Sequence, residues 1–194
     1  MKAPPKFSTK GAQNLTAESI TNLPMDSTTN LATEAHLVHL RRAVRLALEA
    51  EAAGNLPVGA LITLDNDVIA EAGSAILRPH YYPGGHAEVE SLRRVPAPLW
   101  SRAREMTCYT TLEPCVMCMG AILLHGVGRV VFGSSDREGG AGQVLPHLPP
   151  YYKSGGACVP EWIGPLLPEL CDALYERVKA KFDDLPCGKI VRAE

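Results

Sequence analysis

Two short motifs constrain this chain more than any other feature: His-Ala-Glu at residues 86–88 and Pro-Cys-Val-Met-Cys at residues 114–118. Imidazole and thiolate groups are typical zinc ligands, and two cysteines separated by two residues can bind one ion at a helix start. Each motif lies at the start of a predicted helix, so the fold must bring two helix starts together. The pattern predicts a site in which His86, Cys115 and Cys118 bind one zinc ion per chain.

The number of ligands indicates a catalytic site. Three protein ligands leave a position for water, whereas structural zinc sites close with four. Zinc lowers the pKa of such a water from about 15.7 towards about 7. Glu88 lies two residues from a predicted ligand, so its carboxylate can face the same cavity and move protons. The whole pattern matches the His-x-Glu…Pro-Cys-x-x-Cys signature of zinc deaminases. A structural zinc knuckle or a redox cysteine pair would leave Glu88 without a role.

The composition fits one globular domain and excludes several other classes of protein. Of the 194 residues, 46 % are hydrophobic and 21 % are charged, and the formal net charge is -2. This balance argues against strong sequence-independent binding to nucleic acid, which usually needs clustered Lys and Arg. No apolar run reaches the roughly 18 residues that suggest a membrane span, and the N-terminal segment lacks the apolar core of a signal peptide. We expect a cytoplasmic protein with no membrane partner and with reduced thiols.

The hydrophobic pattern divides the chain into a flexible leader over residues 1–32, one domain over residues 33–185 and a tail over residues 186–194. The domain contains both motifs, so we expect it to be a zinc-dependent deaminase domain. The elements follow one another as helix, hairpin, helix, strand, helix, strand, loop and helix. This order predicts an α/β sandwich whose sheet is antiparallel at its start and parallel later. The predicted helices cover residues 33–53, 86–94, 115–125 and 165–183, and the predicted strands cover residues 57–64, 68–73, 106–112 and 128–133, with a short fifth strand within residues 134–161.

The run T-L-E-P-C-V-M-C-M-G-A-I-L at residues 111–123 strongly resembles the cytidine/deoxycytidylate deaminase superfamily. P-V-G-A at residues 57–60 and G-R-V-V-F-G at residues 128–133 extend the resemblance, which runs from about Thr33 to Phe182. The chain is most similar to the branch of tRNA adenosine deaminases, guanine deaminases and related nucleoside deaminases. The resemblance implies a three-layer α-β-α sandwich with a five-stranded mixed sheet, the same metal ligands and proton shuttle, and a homodimer.

The resemblance also implies substrate-binding roles for five residues. Pro57, Val58 and Ala87 would line the base pocket. Glu113 would shape the floor beside the metal, and Asp136 falls on the position that contacts the nucleotide sugar.

Two segments bear on the substrate. The branch usually carries an Asn after the second strand, placed to hydrogen-bond the base, but residues 73–78 are G-S-A-I-L-R. Ser74 or a backbone group would have to substitute, with a different hydrogen-bonding pattern. Residues 146–162 form a variable region that is rich in proline and aromatic residues. These residues form either a packed loop or a lid that stacks on a small base. They are Pro146, Pro149, Pro150, Tyr151, Tyr152 and Trp162.

These features lead us to expect hydrolytic deamination of a free nucleobase or nucleoside. A first alternative is a tRNA-specific adenosine deaminase that makes inosine at the anticodon wobble position, which requires an open groove and a flipped-out base. A second alternative is a non-catalytic zinc module.

Overall fold

The computed structural model describes residues 31–153 and 159–183. The predicted leader up to residue 30 and the whole predicted tail lie outside the described residues. The helices are α1 (Leu31–Ala52), α2 (Ala87–Leu92), α3 (Val116–His125), α4 (Pro150–Lys153) and α5 (Pro168–Asp183). The strands are β1 (Gly59–Leu64), β2 (Asp67–Gly73), β3 (Thr107–Leu112), β4 (Arg129–Ser134) and β5 (Glu161–Ile163).

The five strands form one mixed sheet in the order β2-β1-β3-β4-β5. β1 pairs antiparallel with both β2 and β3, whereas β3, β4 and β5 are parallel to one another. The predicted change from antiparallel to parallel pairing along the chain is therefore confirmed.

A tight turn joins β1 to β2. Asp65 has φ 52° and Asn66 has φ 70°. These left-handed values suit a two-residue hairpin turn that matches the twist of the strands, and Asn and Asp adopt them more readily than other non-glycine residues.

Helices cover both faces of the sheet. On one face, α1 and α5 pack Val44 and Leu174 against Tyr109 and Val131 of the central strands. On the other face, a cluster that includes Leu92 of α2 and Ile122 of α3 buries the alternate strand positions, among them Ile62, Cys108 and Val130. Because successive strand residues point to opposite faces, each strand supplies both core layers. The predicted three-layer α-β-α sandwich is confirmed.

The element boundaries differ from the predicted ones mainly near proline. Residues Ala97–Glu105 form a 3-10 helix where two prolines predict only an interruption. The last helix begins at Pro168, a start position that tolerates the missing N–H. A short fifth strand is present, but β5 spans Glu161–Ile163 and so begins only at the last residue of the predicted segment 134–161. Within the described ranges, no helix combines the length and apolar character that crossing a membrane requires.

Candidate metal centre and cavity

Two helix starts form the centre. His86 immediately precedes α2 and Cys115 immediately precedes α3, and both have extended backbone conformations. Neither side chain makes the hydrogen bond to its own helix that residues at this position usually make. Both side chains are therefore available to face each other across the gap between the two helices.

The spacing of the three predicted ligands fits a tetrahedral zinc ion. The Sγ atom of Cys115 lies 3.7 Å from the Sγ atom of Cys118 and 3.7 Å from Nδ1 of His86. All three ligand atoms lie within 4.8 Å of one another. Bond lengths of about 2.3 Å to sulfur and about 2.0 Å to nitrogen would place tetrahedral ligands about 3.5–3.8 Å apart. The donor set and its spacing therefore suit zinc.

The two thiols are electrostatically unequal. The hydrogen bond with Cys118 and, against the effect of burial, the hydrogen bond with His86 lower the pKa of Cys115 to about 4. The same contact with Cys115, together with burial, raises the pKa of Cys118 well above its usual value. We therefore expect the metal-free pair to share one proton, which a bound divalent cation would displace.

Glu88 lies beside the thiols as predicted. Its side chain is 3 % exposed, and its Oε2 atom is 3.4 Å from the Sγ atom of Cys118. Thr110, which is completely buried in β3, donates a hydrogen bond of 3.0 Å from Oγ1 to Oε1. Burial raises the pKa of Glu88 because the ionised form loses its hydration. A carboxyl with a raised pKa takes up a proton more readily, as a group that moves protons must do.

A cavity of about 490 Å³ opens on this centre. This volume is in the range of small-molecule sites. His86, Glu88 and Cys115 line it, whereas Cys118 lies behind them. Five apolar residues from the first half of the chain line the wall: Leu56, Val58, Ile76, Ala87 and Leu112.

Four of the five predicted substrate-binding residues line this cavity: Val58, Ala87, Glu113 and Asp136. Pro57 is buried next to the cavity and does not line it; the neighbouring Leu56 does. Ser74, which the sequence offers in place of the Asn, also lines the cavity.

Glu113 and Asp136 are joined to each other and to the loop after β4. The backbone N–H of Asp136 donates to Oε2 of Glu113 over 3.1 Å, and that of Gly142 donates to Oε1 over 3.1 Å. Oδ1 of Asp136 accepts a hydrogen bond of 2.6 Å from the hydroxyl of Tyr175. Asp136 is thus fixed in the cavity wall from two sides.

One side of the cavity was not predicted from the sequence. Tyr175, Val178, Lys179 and Phe182 of α5 form it. The helical pattern includes Val178 and Phe182 in an apolar stripe, but periodicity does not distinguish a core from a cavity wall.

The aromatic variable region does not cover this cavity. Among the described residues, none of the predicted lid members lines it. Tyr152 and Trp162 pack instead against a small core around Met119 and Leu123. The packed-loop alternative is therefore correct for Tyr152 and Trp162, whereas Tyr151 and the three prolines are exposed.

A family model matches this sequence. The model for the cytidine and deoxycytidylate deaminase zinc-binding region covers residues 33–134, which include His86, Glu88 and both cysteines of the centre.

Individual relatives agree with that match. The tRNA-specific adenosine deaminase of Haemophilus influenzae is 42 % identical over 103 residues, covering 53 % of this chain and 60 % of the relative. A probable cytosine deaminase of Schizosaccharomyces pombe is 33 % identical over 109 residues, covering 54 % of this chain and 64 % of the relative. The matches thus span less than two thirds of these two relatives.

One solved structure superposes on this chain with a TM-score of 0.61 and 28 % sequence identity. The superposition covers 71 % of this chain and 98 % of the solved chain. That structure comes from a study of A-to-I editing by tRNA:A34 deaminases at the wobble position of transfer RNA.

Proposed function

Because this chain belongs to the cytidine and deoxycytidylate deaminase family, we propose that it is a zinc-dependent hydrolytic deaminase that converts adenosine to inosine at the wobble position of tRNA. One observation supports the reaction above all: His86, Cys115 and Cys118 lie at zinc-ligand spacing beside buried Glu88. In this reaction one water replaces the exocyclic amine of the ring, and one ammonia leaves.

The protein's own groups account for binding the metal and moving the protons. His86, Cys115 and Cys118 would hold one zinc ion per chain, and both cysteines would bind it as thiolates. The chemistry that zinc supplies when bound is a water with its pKa lowered towards about 7, able to attack a ring carbon. Glu88 takes a proton from the attacking water at Oε2, which the Cys118 thiol would release on binding the metal as a thiolate, and returns it to the leaving amine, while Thr110 holds Oε1.

Aliphatic side chains would hold the ring. Leu56, Val58 and Ile76 give the cavity an apolar wall against which a flat base can pack. Asp136, fixed by Tyr175, also lies in the wall, where it would contact the nucleotide sugar. A flipped-out nucleotide could enter in this way while the rest of the RNA stayed outside.

The choice of adenosine in tRNA over a free base rests on the comparisons. Several relatives are tRNA-specific adenosine deaminases, including the one from Haemophilus influenzae. A free nucleobase or nucleoside, the expectation from sequence alone, becomes the second candidate. It is favoured by the probable cytosine deaminase among the relatives and by Ser74 in place of an Asn.

A direct assay distinguishes the two candidates. The zinc-loaded full chain would be incubated with an anticodon stem-loop that carries adenosine at the wobble position. Free adenosine, cytidine, adenine, guanine and cytosine would be tested in parallel. We expect inosine in the stem-loop and no ammonia from the free compounds. Ammonia from a free compound without inosine in RNA would favour the second candidate, and no product from any of them would refute deamination.

A substitution at Glu88 tests the alternative of a non-catalytic zinc module. We expect Glu88→Gln to keep a full complement of zinc and to lower turnover at least about 100-fold, because the amide cannot carry the proton. Metal analysis and inosine formation are measured on the same sample. Turnover that survives the substitution would contradict the assigned role.

We further propose a homodimer that pairs through α3 and resides in the cytoplasm. Val116, Met117 and Leu124 are exposed apolar residues on α3, and the surface beside Gly120 is open. A thiolate-ligated site also suits a reducing compartment. Light scattering during size-exclusion chromatography should give twice the chain mass of 20.9 kDa; a monomer would contradict the dimer.

A further inference from the structure

Tyr175 connects α5 to a carboxylate in the cavity wall. Its hydroxyl donates a hydrogen bond of 2.6 Å to Oδ1 of Asp136, and both residues line the cavity. Burial and this hydrogen bond raise the pKa of Tyr175, so the hydroxyl keeps its proton and acts as a donor to the carboxylate. Nζ of Lys179, one turn farther along α5, lies 4.7 Å from the centroid of the tyrosine ring. Tyr175 is therefore held at both its ring and its hydroxyl.

Oδ1 of Asp136 is the oxygen that the protein holds. In addition to the hydrogen bond from Tyr175, it accepts hydrogen bonds from the backbone N–H groups of Glu138 and Gly139, over 3.0 Å and 2.9 Å. These two backbone donors belong to the same loop as Asp136 and move with it. Among the described residues, Tyr175 is the only donor to Oδ1 from another element, so this hydroxyl sets where the carboxylate lies relative to α5.

Oδ2 of the same carboxylate remains open. It accepts no hydrogen bond from the residues that the structure describes, whereas Oδ1 accepts three. Gly139 leaves space beside Oδ2, since an added Cβ at this glycine would lie 3.0 Å from that oxygen. Because Asp136 is partly exposed and lines the cavity, a donor group on a bound molecule can reach this oxygen.

We infer that Tyr175 is a positioning residue that holds the carboxylate of Asp136, so that Oδ2 stays available to a donor on the sugar of the bound nucleotide. The inference rests on the proposed function and deepens it, because it adds a residue outside the family match of residues 33–134 to substrate recognition. Glu88 is held by Thr110 of β3, independently of α5. Loss of the Tyr175 hydroxyl should therefore weaken substrate binding and leave the chemical step unchanged.

The test removes one hydroxyl–carboxylate hydrogen bond at a time. Tyr175→Phe deletes the hydroxyl and keeps the ring. The matched control is Ser134→Ala, because Oγ of Ser134 donates a hydrogen bond of the same length, 2.6 Å, to Asp172 of α5, and neither of these two residues lines the cavity. The zinc-loaded proteins are assayed on the wobble-adenosine stem-loop. A second readout, independent of turnover, is the Kd of a stem-loop that carries purine riboside at the wobble position.

We expect Tyr175→Phe to raise KM and this Kd about 5-fold and to change kcat less than about twofold, whereas Ser134→Ala should change none of them more than about twofold. A double-mutant cycle with Asp136→Ala tests whether Tyr175 acts through Asp136. Asp136→Ala should itself weaken binding. Adding Tyr175→Phe to it should raise the Kd less than about twofold further, because the hydroxyl then has no carboxylate to hold. Zinc content should be equal in all variants.

Three results would overturn the inference. The first is wild-type KM and Kd in Tyr175→Phe. The second is an equal rise of both in Ser134→Ala, which would indicate a general loosening of α5. The third is a full additional rise of the Kd when Tyr175→Phe is combined with Asp136→Ala. Failure of the proposed function is distinguishable, because the wild-type chain would then make no inosine from the stem-loop before a variant is compared.

Discussion

At the scale of single residues, Thr110 determines how Glu88 presents its carboxylate. Thr110 is completely buried in β3 and donates to Oε1 of Glu88, so this oxygen is fixed and Oε2 is left beside Cys118. A buried carboxylate with both oxygens free could rotate between several orientations. The hydrogen bond from Thr110 reduces that freedom without adding charge.

Replacing this hydroxyl by a methyl group should therefore affect catalysis more than binding. We expect Thr110→Val, which nearly preserves shape, to lower kcat about 10-fold, while KM and zinc content change less than about twofold. Thr110→Ser should recover most of the loss because it restores the donor. Steady-state kinetics and metal analysis provide the measurements.

The matched control is Thr107→Val, which makes the same change at another buried position of β3. A similar fall of kcat in both variants would mean that the effect comes from general damage to the strand.

At the scale of elements, one carboxylate organises the loop that follows β4. Glu113, which follows the last residue of β3, accepts hydrogen bonds from the backbone of Asp136 and Gly142 and a third of 3.3 Å from Nε1 of Trp162. An added Cβ at Gly142 would lie 2.6 Å from Oε1 of Glu113. The loop therefore closes directly onto this side chain, and the position of Asp136 in the cavity wall depends on it.

We expect Glu113→Gln to lower the free energy of unfolding by about 1–3 kcal/mol. The amide nitrogen of Gln would replace a carboxylate oxygen that accepts a hydrogen bond, so two donors would face each other. KM should rise at the same time, because the loop carries Asp136. Chemical denaturation and steady-state kinetics measure the two effects. The control is Glu49→Gln on the exposed face of α1. Equal stability of the two variants would contradict the organising role of Glu113.

Most of the helices and strands could be predicted from the sequence. Helical periodicity and short apolar runs predict most helices and strands, because the helices bury one face and the central strands bury both. The 3-10 helix at Ala97–Glu105 was missed because prolines exclude an α-helix yet remain compatible with this shorter-range geometry. At the site, motif spacing predicts the three ligand atoms that lie within 4.8 Å.

The remaining parts of the site depend on tertiary structure. Leu174 is buried in the core, whereas Val178, one turn later on α5, lines the cavity. Both are apolar residues of one stripe, so the sequence alone does not distinguish them. Pro57 and Leu56 differ for a similar reason, because the backbone direction before β1 decides which of two adjacent residues faces the cavity.

At the scale of the whole molecule, the metal centre joins two distant stretches of chain. His86 ends the loop between β2 and α2, while Cys115 and Cys118 belong to the junction of β3 and α3. A bound ion would connect the two stretches in the folded state only, so the metal should stabilise the fold.

We expect removal of zinc to lower Tm by about 5–10 °C. Zinc at 100 times its Kd would stabilise the folded state by about 2.7 kcal/mol, and each kcal/mol moves Tm by about 2–4 °C in a chain of this size. Thermal unfolding with and without chelator measures the shift. The Cys115→Ser variant should respond much less to chelator; an equal response would mean that the metal acts elsewhere.

The cavity wall extends beyond the residues that match the family model, and this has an evolutionary consequence. The predicted metal ligands and Glu88 lie within the matched residues, 33–134, whereas Asp136 and the α5 side of the wall, with Tyr175, Val178 and Phe182, lie beyond them. Substitutions on α5 can therefore alter the space offered to a ring without altering any metal ligand or Glu88. We expect that a lineage can in this way keep one reaction unchanged and acquire new substrates by changes in a single helix.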